Sequence, residues 1–192
     1  MPAENHDVAD ALAAIGTEVA TVVAALVRSD ADGFARVAEL VAAAPRVFVL
    51  GAGRSGLALR MTAMRLMHLG LDVHVVGEVT TPAIERGDLL VTASGSGTTG
   101  VIVRAAETAA SVGADVVLVT TAADSDLAST ATVALVVPAA AKLDRSGTAS
   151  AQYAGSLFEQ SVVLIGDALF HALWQRSGQS ADDLWPRHAN LE

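Results

Sequence analysis

Residues 46–56 read Arg46-Val-Phe-Val-Leu-Gly-Ala-Gly-Arg-Ser-Gly56, an apolar and β-branched run that stops at a glycine-rich turn. A short run of this composition is typical of a buried parallel strand. Similar runs recur further along the chain, at 72–76, 88–92, 115–120 and 132–137. Helical or turn-forming stretches lie between them, at 55–69, 82–86, 99–112 and 125–130. This alternation predicts one α/β domain with a five-stranded, mainly parallel sheet and helices on both faces.

The N-terminal region is predicted to be helical. In the first thirty residues, apolar side chains alternate spacings of four and three, which is the pattern of a helix that packs on another helix. They are Val8, Leu12, Ile15, Val19, Val22 and Leu26. A second helix is predicted at 32–44. Part of the first stripe is expected to cover the domain itself or a second subunit.

The C-terminal region differs from the middle of the chain. Residues 139–153 are polar and are expected to form a loop, whereas 156–176 predict a long apolar helix. A capping-box pattern at 180–183 predicts the start of another helix. We therefore expect three parts: N-terminal helices at 1–45, an α/β core at 46–138, and a loop with helices at 139–192 that completes the domain and its site.

Composition excludes several classes of protein. Of the 192 residues, 52% are hydrophobic and 17% are charged, which rules out a disordered chain and favours association with other copies. The net charge of −9 argues against nucleic-acid binding, and the absence of cysteine excludes disulfides and cysteine-ligated metals. The longest uncharged apolar stretch, at 127–141, is too short and too polar to cross a membrane. A soluble, cytoplasmic protein is therefore expected.

The first glycine-rich turn, Gly51-Ala-Gly-Arg-Ser-Gly56, follows a predicted strand and opens a predicted helix. A dinucleotide-binding turn of this kind needs an acidic residue at the end of the second strand. Asp72 instead comes at the start of that strand, and Glu78 lies beyond it. These positions argue against a nicotinamide or flavin cofactor. A purely structural strand–helix turn would use the glycines without requiring Arg54 or Ser55.

The second turn, Ser94-Gly-Ser-Gly-Thr-Thr99, combines hydroxyl groups with the free N–H groups of a predicted helix N-terminus. A phosphate monoester is bound by such donors and by the positive end of the helix dipole. No lysine follows the glycines, which excludes a P-loop. A single turn of this kind is commonly an ordinary helix cap. Two such turns at the carboxyl ends of strands in one sheet favour a ligand crevice, and a sugar phosphate as the ligand.

Both turns and three further segments resemble the 6-phospho-3-hexuloisomerases, a family of the sugar isomerase (SIS) domain group. The further segments are Met64-Arg-Leu-Met-His-Leu-Gly70, Gly155-Ser-Leu-Phe-Glu159 and Arg187-His-Ala-Asn-Leu-Glu192. The hydroxyl-rich loop alone would indicate only the SIS group. The segments at 64–70 and 187–192 narrow the resemblance to the hexuloisomerases within that group. The sequence departs from the family pattern in two places: at Thr98, where relatives commonly carry glutamate, and in Gln152-Tyr-Ala154, where Gln-Pro-Met is common.

The resemblance implies a single SIS domain that interconverts D-arabino-hex-3-ulose 6-phosphate and D-fructose 6-phosphate. It implies the second step of ribulose monophosphate formaldehyde fixation, coupling to hexulose-phosphate synthase, a homotetramer or dimer of dimers, and no metal or other cofactor. Glu159 matches the catalytic glutamate of the family, and His188 lies in a C-terminal motif expected near the site of its own or a neighbouring subunit. The candidate substrate-binding residues are Gly53, Arg54, Ser55, Ser94, Gly95, Ser96, Gly97, Thr98 and Thr99.

Alternatives remain for individual residues and for the whole chain. Ser156 and Glu159 have the spacing of a helix capping box, and Arg54 could form a surface salt bridge instead of binding substrate. The chain could isomerise another sugar phosphate, such as a pentulose or heptulose phosphate, or sense a sugar phosphate without catalysis. A transcriptional sensor would need a DNA-binding module, but Arg28 and Arg36 are the only arginines or lysines in the first 45 residues.

Overall fold

The computed structural model describes residues 7–140, 144, 148 and 150–191. The strands are β1 (Val47–Gly51), β2 (Val73–Val75), β3 (Leu89–Ala93), β4 (Asp115–Thr120) and β5 (Val133–Val136). The helices are α1 (Val8–Ser29), α2 (Ala31–Ala43), α3 (Gly53–Leu69), α4 (Gly100–Val112), α5 (Asp126–Thr130), α6 (Ser156–Ser177) and α7 (Ala181–Leu184), with a 3-10 turn at Trp185–Arg187. Strands and helices lie within a few residues of the positions predicted for them.

The five strands form one sheet in the order β2-β1-β3-β4-β5, and every neighbouring pair is parallel. The predicted α/β class and parallel sheet are thereby confirmed. From β1 the chain crosses to β2 on one side and then returns to β3 on the other. In such sheets the crossovers on the two sides of the reversal leave a crevice at the carboxyl ends of the strands. That crevice lies between β1 and β3 and positions the site described below.

Helices cover both faces of the sheet, which explains why its strands are apolar almost throughout. Successive side chains of β1 point to opposite faces. On one face the core is built with α1, α2, α3 and α6, and includes Val41, Val49, Leu66, Leu135 and Val162. On the other face it is built with α4 and α5, and includes Phe48, Leu90, Ile102, Leu118 and Leu127. The prediction of helices on both faces is confirmed.

The connection from β2 to β3 contains turns and no helix over residues 76–88, all of which the structure describes. It ends at Asp88, whose carboxylate accepts two hydrogen bonds from the guanidinium of Arg46, from Nε at 3.1 Å and Nη2 at 2.6 Å. The N–H of Glu85 donates a third, at 2.7 Å. These contacts fasten the connection at the amino end of β3, on the edge of the sheet opposite the crevice.

The apolar stripe of α1 is only partly covered within one chain. Val22 and Leu26 are buried in the core, whereas Val8 and Leu12 expose 81% and 69% of their surface. By length and composition, α1 and α6 could each cross a membrane. The search for an uncharged stretch in the sequence missed both, because each helix carries isolated charges. A helix in the core of a protein can have the same length and apolar composition. Helix α6 is of this kind, because it buries Leu157, Phe158 and Val162 in the core.

Candidate active site

A cavity of about 210 Å³ opens at the carboxyl ends of β1 and β3. It lies where the sheet order predicts a ligand crevice. Three segments enclose it: the turn between β1 and α3, the loop between β3 and α4, and the start of α6. Its lining residues are Ala52, Gly53, Arg54, Ser55, Ala93, Ser94, Gly95, Ser96, Thr99, Ile102, Ala140, Gly155, Phe158 and Glu159.

Three helices begin at this cavity, and their N-termini differ from the others in the chain. The side chains of Asp7, Asp30, Ser125 and Ser180 cap α1, α2, α5 and α7. No described side chain caps α3, α4 or α6. The first N–H groups of a helix have no partner within it, and they carry the positive end of the helix dipole. The cavity therefore has the donors and the potential that an anionic group requires.

The loop between β3 and α4 has a defined hydroxyl arrangement. Ser94 Oγ lies 3.1 Å from Thr99 Oγ1, and the Ser96 hydroxyl accepts from the backbone N–H of Thr98 at 3.3 Å. The carbonyl of Gly95 accepts from the hydroxyls of Thr120 and Thr121 at 3.2 and 2.8 Å, which fixes the loop to the end of β4. These bonds hold the loop against β4, while Ser94, Ser96 and Thr99 line the cavity.

Gly97 is required by the shape of this loop. Its φ of +63° lies in the left-handed region, and a Cβ placed on it would lie 2.0 Å from Ser125 Oγ. A side chain there would be strained and would also clash with α5. Gly97 therefore shapes the loop from below the cavity, and it is absent from the lining residues that the structure describes.

In the turn after β1, the glycines and the polar residues have separate roles. A Cβ on Gly56 would lie 2.4 Å from the carbonyl oxygen of Gly51, so these two glycines permit the close contact between strand and helix. The glycines therefore have the purely structural role in the strand–helix turn that the sequence left open. Ser55, however, is buried and lines the cavity, as do Gly53 and Arg54. The turn thus allows the strand and the helix to pack closely, and it also forms one wall of the cavity.

Glu159 lies in the first turn of α6, and the structure contradicts the capping-box interpretation. The N-cap residue is Gly155, and the hydroxyl of Ser156 donates to the carbonyl of Tyr153 at 2.8 Å. The carboxylate of Glu159 instead accepts a hydrogen bond from Nε of Arg54 and forms an ion pair with it. The side chain of Glu159 is 20% exposed and that of Arg54 65% exposed. Arg54 therefore does form an ion pair, as the alternative interpretation had it, but both partners of that pair line the cavity.

The structure brings together most of the residues singled out in the sequence. Those that line the cavity are Gly53, Arg54, Ser55, Ser94, Gly95, Ser96, Thr99 and Glu159. Gly97 and Thr98 belong to the loop without lining the described cavity, and the side chain of Thr98 hydrogen-bonds to Ser96 Oγ at 3.0 Å. The sequence reasoning missed Gly155 and Phe158 as lining residues. For Gly155 the spacing of four residues before Glu159 was an available signal.

His188 lies away from the cavity of its own chain. Its ring stacks on that of His68, with the centroids 4.0 Å apart, and lies 4.7 Å from the Trp185 ring. His68 is near the C-terminal end of α3, whereas Ser55 is at its N-terminal end. With a rise of 1.5 Å per residue, these two ends of the helix are separated by about 20 Å. Within one chain, therefore, His188 does not join Glu159, and a catalytic role for it requires the site of another copy.

Comparison with known proteins agrees with this architecture. The SIS domain model matches residues 40–164. A 3-hexulose-6-phosphate isomerase of Mycobacterium gastri is 50% identical over 188 residues, which cover 98% of this chain and 93% of the relative. One of Bacillus subtilis is 35% identical over 158 residues, covering 82% of this chain and 85% of the relative.

Solved structures give the same result. A Methanococcus jannaschii protein, whose crystal structure led to an inferred function as a 3-hexulose-6-phosphate isomerase, superposes with a TM-score of 0.81 at 25% identity. The alignment covers 95% of this chain and 99% of that protein. The match to the SIS model extends from α2 into α6 and includes all five strands and all the lining residues of the cavity. The chain belongs to the SIS domain family.

Proposed function

We propose that this chain is an isomerase that interconverts D-arabino-hex-3-ulose 6-phosphate and D-fructose 6-phosphate. The observation that carries the proposal is the cavity, in which the carboxylate of Glu159 lies together with three helix N-termini that no described side chain caps, one of them that of its own helix. The relatives in Mycobacterium gastri and Bacillus subtilis, named as 3-hexulose-6-phosphate isomerases, supply the substrate class.

The reaction moves a carbonyl from C3 to C2 of the sugar. A base removes the proton on C2, which leaves an enediolate shared between C2 and C3. The same base then returns a proton to C3. The proton of the C2 hydroxyl is transferred to the oxygen on C3, so that C2 becomes the carbonyl and C3 carries the hydroxyl. A base positioned beside both carbons contributes roughly 10²–10⁴ to the rate. The chemistry thus requires one base near two adjacent carbons, and donors for the developing oxyanion.

In our proposal Glu159 is that base, and the loop of Ser94, Ser96 and Thr99 binds the phosphate together with Ser55. The phosphate lies at the far end of the substrate from the reacting carbons. Its binding energy can therefore orient C2 and C3 toward Glu159, and substrates without phosphate should lose turnover as well as affinity. Arg54 contacts Glu159 directly, so it orients the base and places a positive charge near the enediolate.

We further propose that His188 acts in the site of a neighbouring copy within a cytoplasmic homotetramer or dimer of dimers. Supporting this, α3 carries an exposed apolar stripe next to the cavity, formed by Leu57, Met61 and Met64, whose exposed fractions are 62%, 48% and 49%. Apolar surface of this kind is commonly covered by another protein. A subunit-mixing experiment tests the sharing: inactive Glu159→Gln and inactive His188→Gln chains should regain activity when assembled together, and unmixed chains should not.

Two other functions fit parts of the same site. A different ketose phosphate, a pentulose or heptulose phosphate, would use the same phosphate loop and the same base. A sensor would bind sugar phosphate without turning it over. Glu159 favours catalysis over sensing, because a carboxylate beside an anionic ligand opposes binding and is useful mainly as a base.

The proposal is tested by coupling formation of fructose 6-phosphate to glucose-6-phosphate isomerase and its dehydrogenase, with NADPH as the readout. Enzymatically generated 3-hexulose 6-phosphate is the substrate, and pentulose and heptulose phosphates are compared directly by product analysis. Glu159→Gln should abolish turnover while the protein stays folded. Asp167→Asn is the matched control, since Asp167 lies on the same helix but is exposed and outside the described cavity lining.

Turnover in wild type and Asp167→Asn with loss in Glu159→Gln would support both the reaction and the base. Near-normal turnover in Glu159→Gln would overturn the role of Glu159. A folded wild-type protein that binds fructose 6-phosphate but converts none of the three substrates would overturn the isomerase proposal in favour of a sensor.

A further inference from the structure

The N-terminal helix is fastened to the segment that leads into α6. The carboxylate of Glu18, on α1, accepts from the Ser150 hydroxyl at 2.7 Å, from the Ala151 N–H at 2.7 Å and from Nε2 of Gln152 at 3.0 Å. These residues are more than 130 positions apart in the sequence. Three donors on one carboxylate make a charge-assisted contact that holds residues 150–152 in place.

The contact continues to the helix that carries Glu159. An ionised carboxylate can only accept hydrogen bonds, so Gln152 must turn its NH₂ group toward Glu18. Its Oε1 then faces α6, where it accepts from Nε2 of Gln160 at 2.8 Å. Gln160 directly follows Glu159 in the first turn of the helix. Glu18 thereby determines the orientation of both glutamine amides, although it does not line the described cavity.

The turn between these contacts is strained. Ala154 has a φ of +52°, in the left-handed region, and is the one residue other than glycine with a positive φ in the described part of the chain. An alanine pays an energetic cost for this conformation and adopts it only where its surroundings impose it. Glu18 holds the chain on one side of Ala154. On the other side, the Ser156 hydroxyl bonds back to the carbonyl of Tyr153 at 2.8 Å.

We propose that Glu18 is a positioning residue for the isomerase reaction: through Gln152 and Gln160 it holds the first turn of α6 so that Glu159 faces the cavity. This inference rests on the proposed function. Glu18 acts through other residues and touches neither the substrate nor the base. The N-terminal helix then has a role in the site besides packing on the domain.

The charge state of Glu18 agrees with this role. The hydrogen bonds from the Ala151 N–H and the Ser150 hydroxyl, together with that from Gln152, outweigh burial and lower the pKa of Glu18 below its usual value of 4.5. The carboxylate therefore remains an acceptor throughout the neutral and mildly acidic range.

The test compares Glu18→Gln with wild type and with Val22→Ala. In Glu18→Gln an NH₂ group replaces one acceptor oxygen, so at least one of the donors from residues 150–152 would meet another donor in place of an acceptor. Because a small displacement of a catalytic group costs up to about 100-fold in rate, we expect kcat to fall about tenfold with KM within about twofold. Val22 is buried one turn further along the same helix, and the hydrogen bonds to residues 150–152 are made by Glu18, so truncation of Val22 loosens α1 without altering the carboxylate. Val22→Ala should lower the melting temperature and leave kcat within about twofold of wild type.

Hydrogen exchange of the peptide covering 150–160 gives a readout that does not depend on turnover. Faster exchange there in Glu18→Gln, and not in Val22→Ala, is expected. Unchanged kcat or unchanged exchange in Glu18→Gln, or an equal loss of kcat in Val22→Ala, would overturn the inference while leaving the proposed function intact. Failure of the wild-type protein to convert the substrate would overturn the proposed function and, with it, the positioning role.

Discussion

Arg54 and Glu159 form an ion pair that joins the first turn of α3 to the first turn of α6 at the exposed side of the cavity. One residue follows the first strand and the other lies 105 positions later. The pair brings the base proposed for the reaction against a cation, and it joins the two helices at the site.

The first prediction concerns this pair. Arg54→Ala should lower kcat/KM at least tenfold, because a hydrogen bond to a charged group contributes about 1.5–3 kcal/mol and because Glu159 loses its orienting partner. The kcat/KM of Arg54→Lys should lie between those of wild type and Arg54→Ala, since lysine keeps the charge but lacks the planar donor group. Steady-state kinetics measure both. Combining Arg54→Ala with Glu159→Gln should cost little more than Glu159→Gln alone, and additive losses would show that the two residues act independently.

The second prediction concerns Gly97. Gly97→Ala should raise KM for the sugar phosphate and lower the melting temperature, because the added Cβ would overlap Ser125 Oγ in a backbone region already unfavourable to alanine. Gly77→Ala is the control: Gly77 has a φ of +99°, but a Cβ there meets no atom of the described chain within 4 Å. It should cost about 1–2 kcal/mol in stability without changing KM. Equal effects on KM in both variants would contradict the proposed shape of the phosphate loop.

The third prediction concerns the amino edge of the sheet. Asp88 is 2% exposed and is bonded twice by Arg46, so Asp88→Ala removes the buried partner of that guanidinium and leaves it paired with the exposed carboxylate of Glu85 at 3.2 Å. The loss of unfolding free energy should be about 3 kcal/mol, measured by urea denaturation, with kcat unchanged because the cavity lies at the opposite edge. Glu39→Ala, which removes the exposed pair with Arg36, should change stability by less than about 1 kcal/mol.

The Asp88 pair also has a pH dependence of definite sign. Burial alone would raise the pKa of Asp88, but the hydrogen bonds from Arg46 and from the Glu85 N–H outweigh it and lower the pKa below its usual value of 3.8. A lowered pKa stabilises the fold above the unfolded-state value, and that contribution is lost as the pH falls through the folded-state value. Wild type should therefore lose this increment below about pH 4, and Asp88→Ala should not.

The fourth prediction concerns His68, which is 4% exposed and stacked on His188. Burial, the neighbouring His188 and Arg65 lower the pKa of His68 below its usual value of 6.5. The unfolded chain therefore binds a proton more readily, so this contribution to stability is complete above about pH 6.5 and is lost as the pH falls toward the folded-state value. His68→Gln should flatten the dependence of melting temperature on pH between about 5 and 7. A slope equal to that of wild type would contradict it.

Much of the fold was predictable because its signals are local. The strand at Val47–Gly51 is apolar throughout, and that at Asp115–Thr120 is apolar between its end residues; burial on both faces requires that composition. The turn at Ser94–Thr99 was recognisable because it is the second glycine- and hydroxyl-containing turn at the carboxyl end of a strand in the same sheet. The position of the crevice then followed from sheet topology alone.

What failed to be predicted depends on contacts between distant segments. The capping box, the alternative to a catalytic role for Glu159, is wrong: Gly155 is the N-cap residue, and the carboxylate of Glu159 accepts from Arg54, 105 positions away in the sequence. The position of His188 follows from packing on His68, which no spacing in the tail reveals. The division of the chain at 45 and 138 remains a prediction, although Glu18 already links the first part to the last. Long-range polar contacts leave no periodic trace in a sequence.

The uncapped beginnings of α3, α4 and α6 have a consequence for the life of the protein in the cell. No described side chain caps these three N-termini, so an anion bound among them, as proposed for the substrate phosphate, would satisfy their N–H groups and would supply part of the folding free energy. Ligand that binds only the folded chain adds about 2.7 kcal/mol of stability when present at about 100 times its dissociation constant. Unfolded chains are the ones that proteases remove. We therefore expect the protein to be longer-lived when sugar phosphate is abundant and to be degraded faster when it is scarce, so that its amount follows its own substrate without any dedicated regulator.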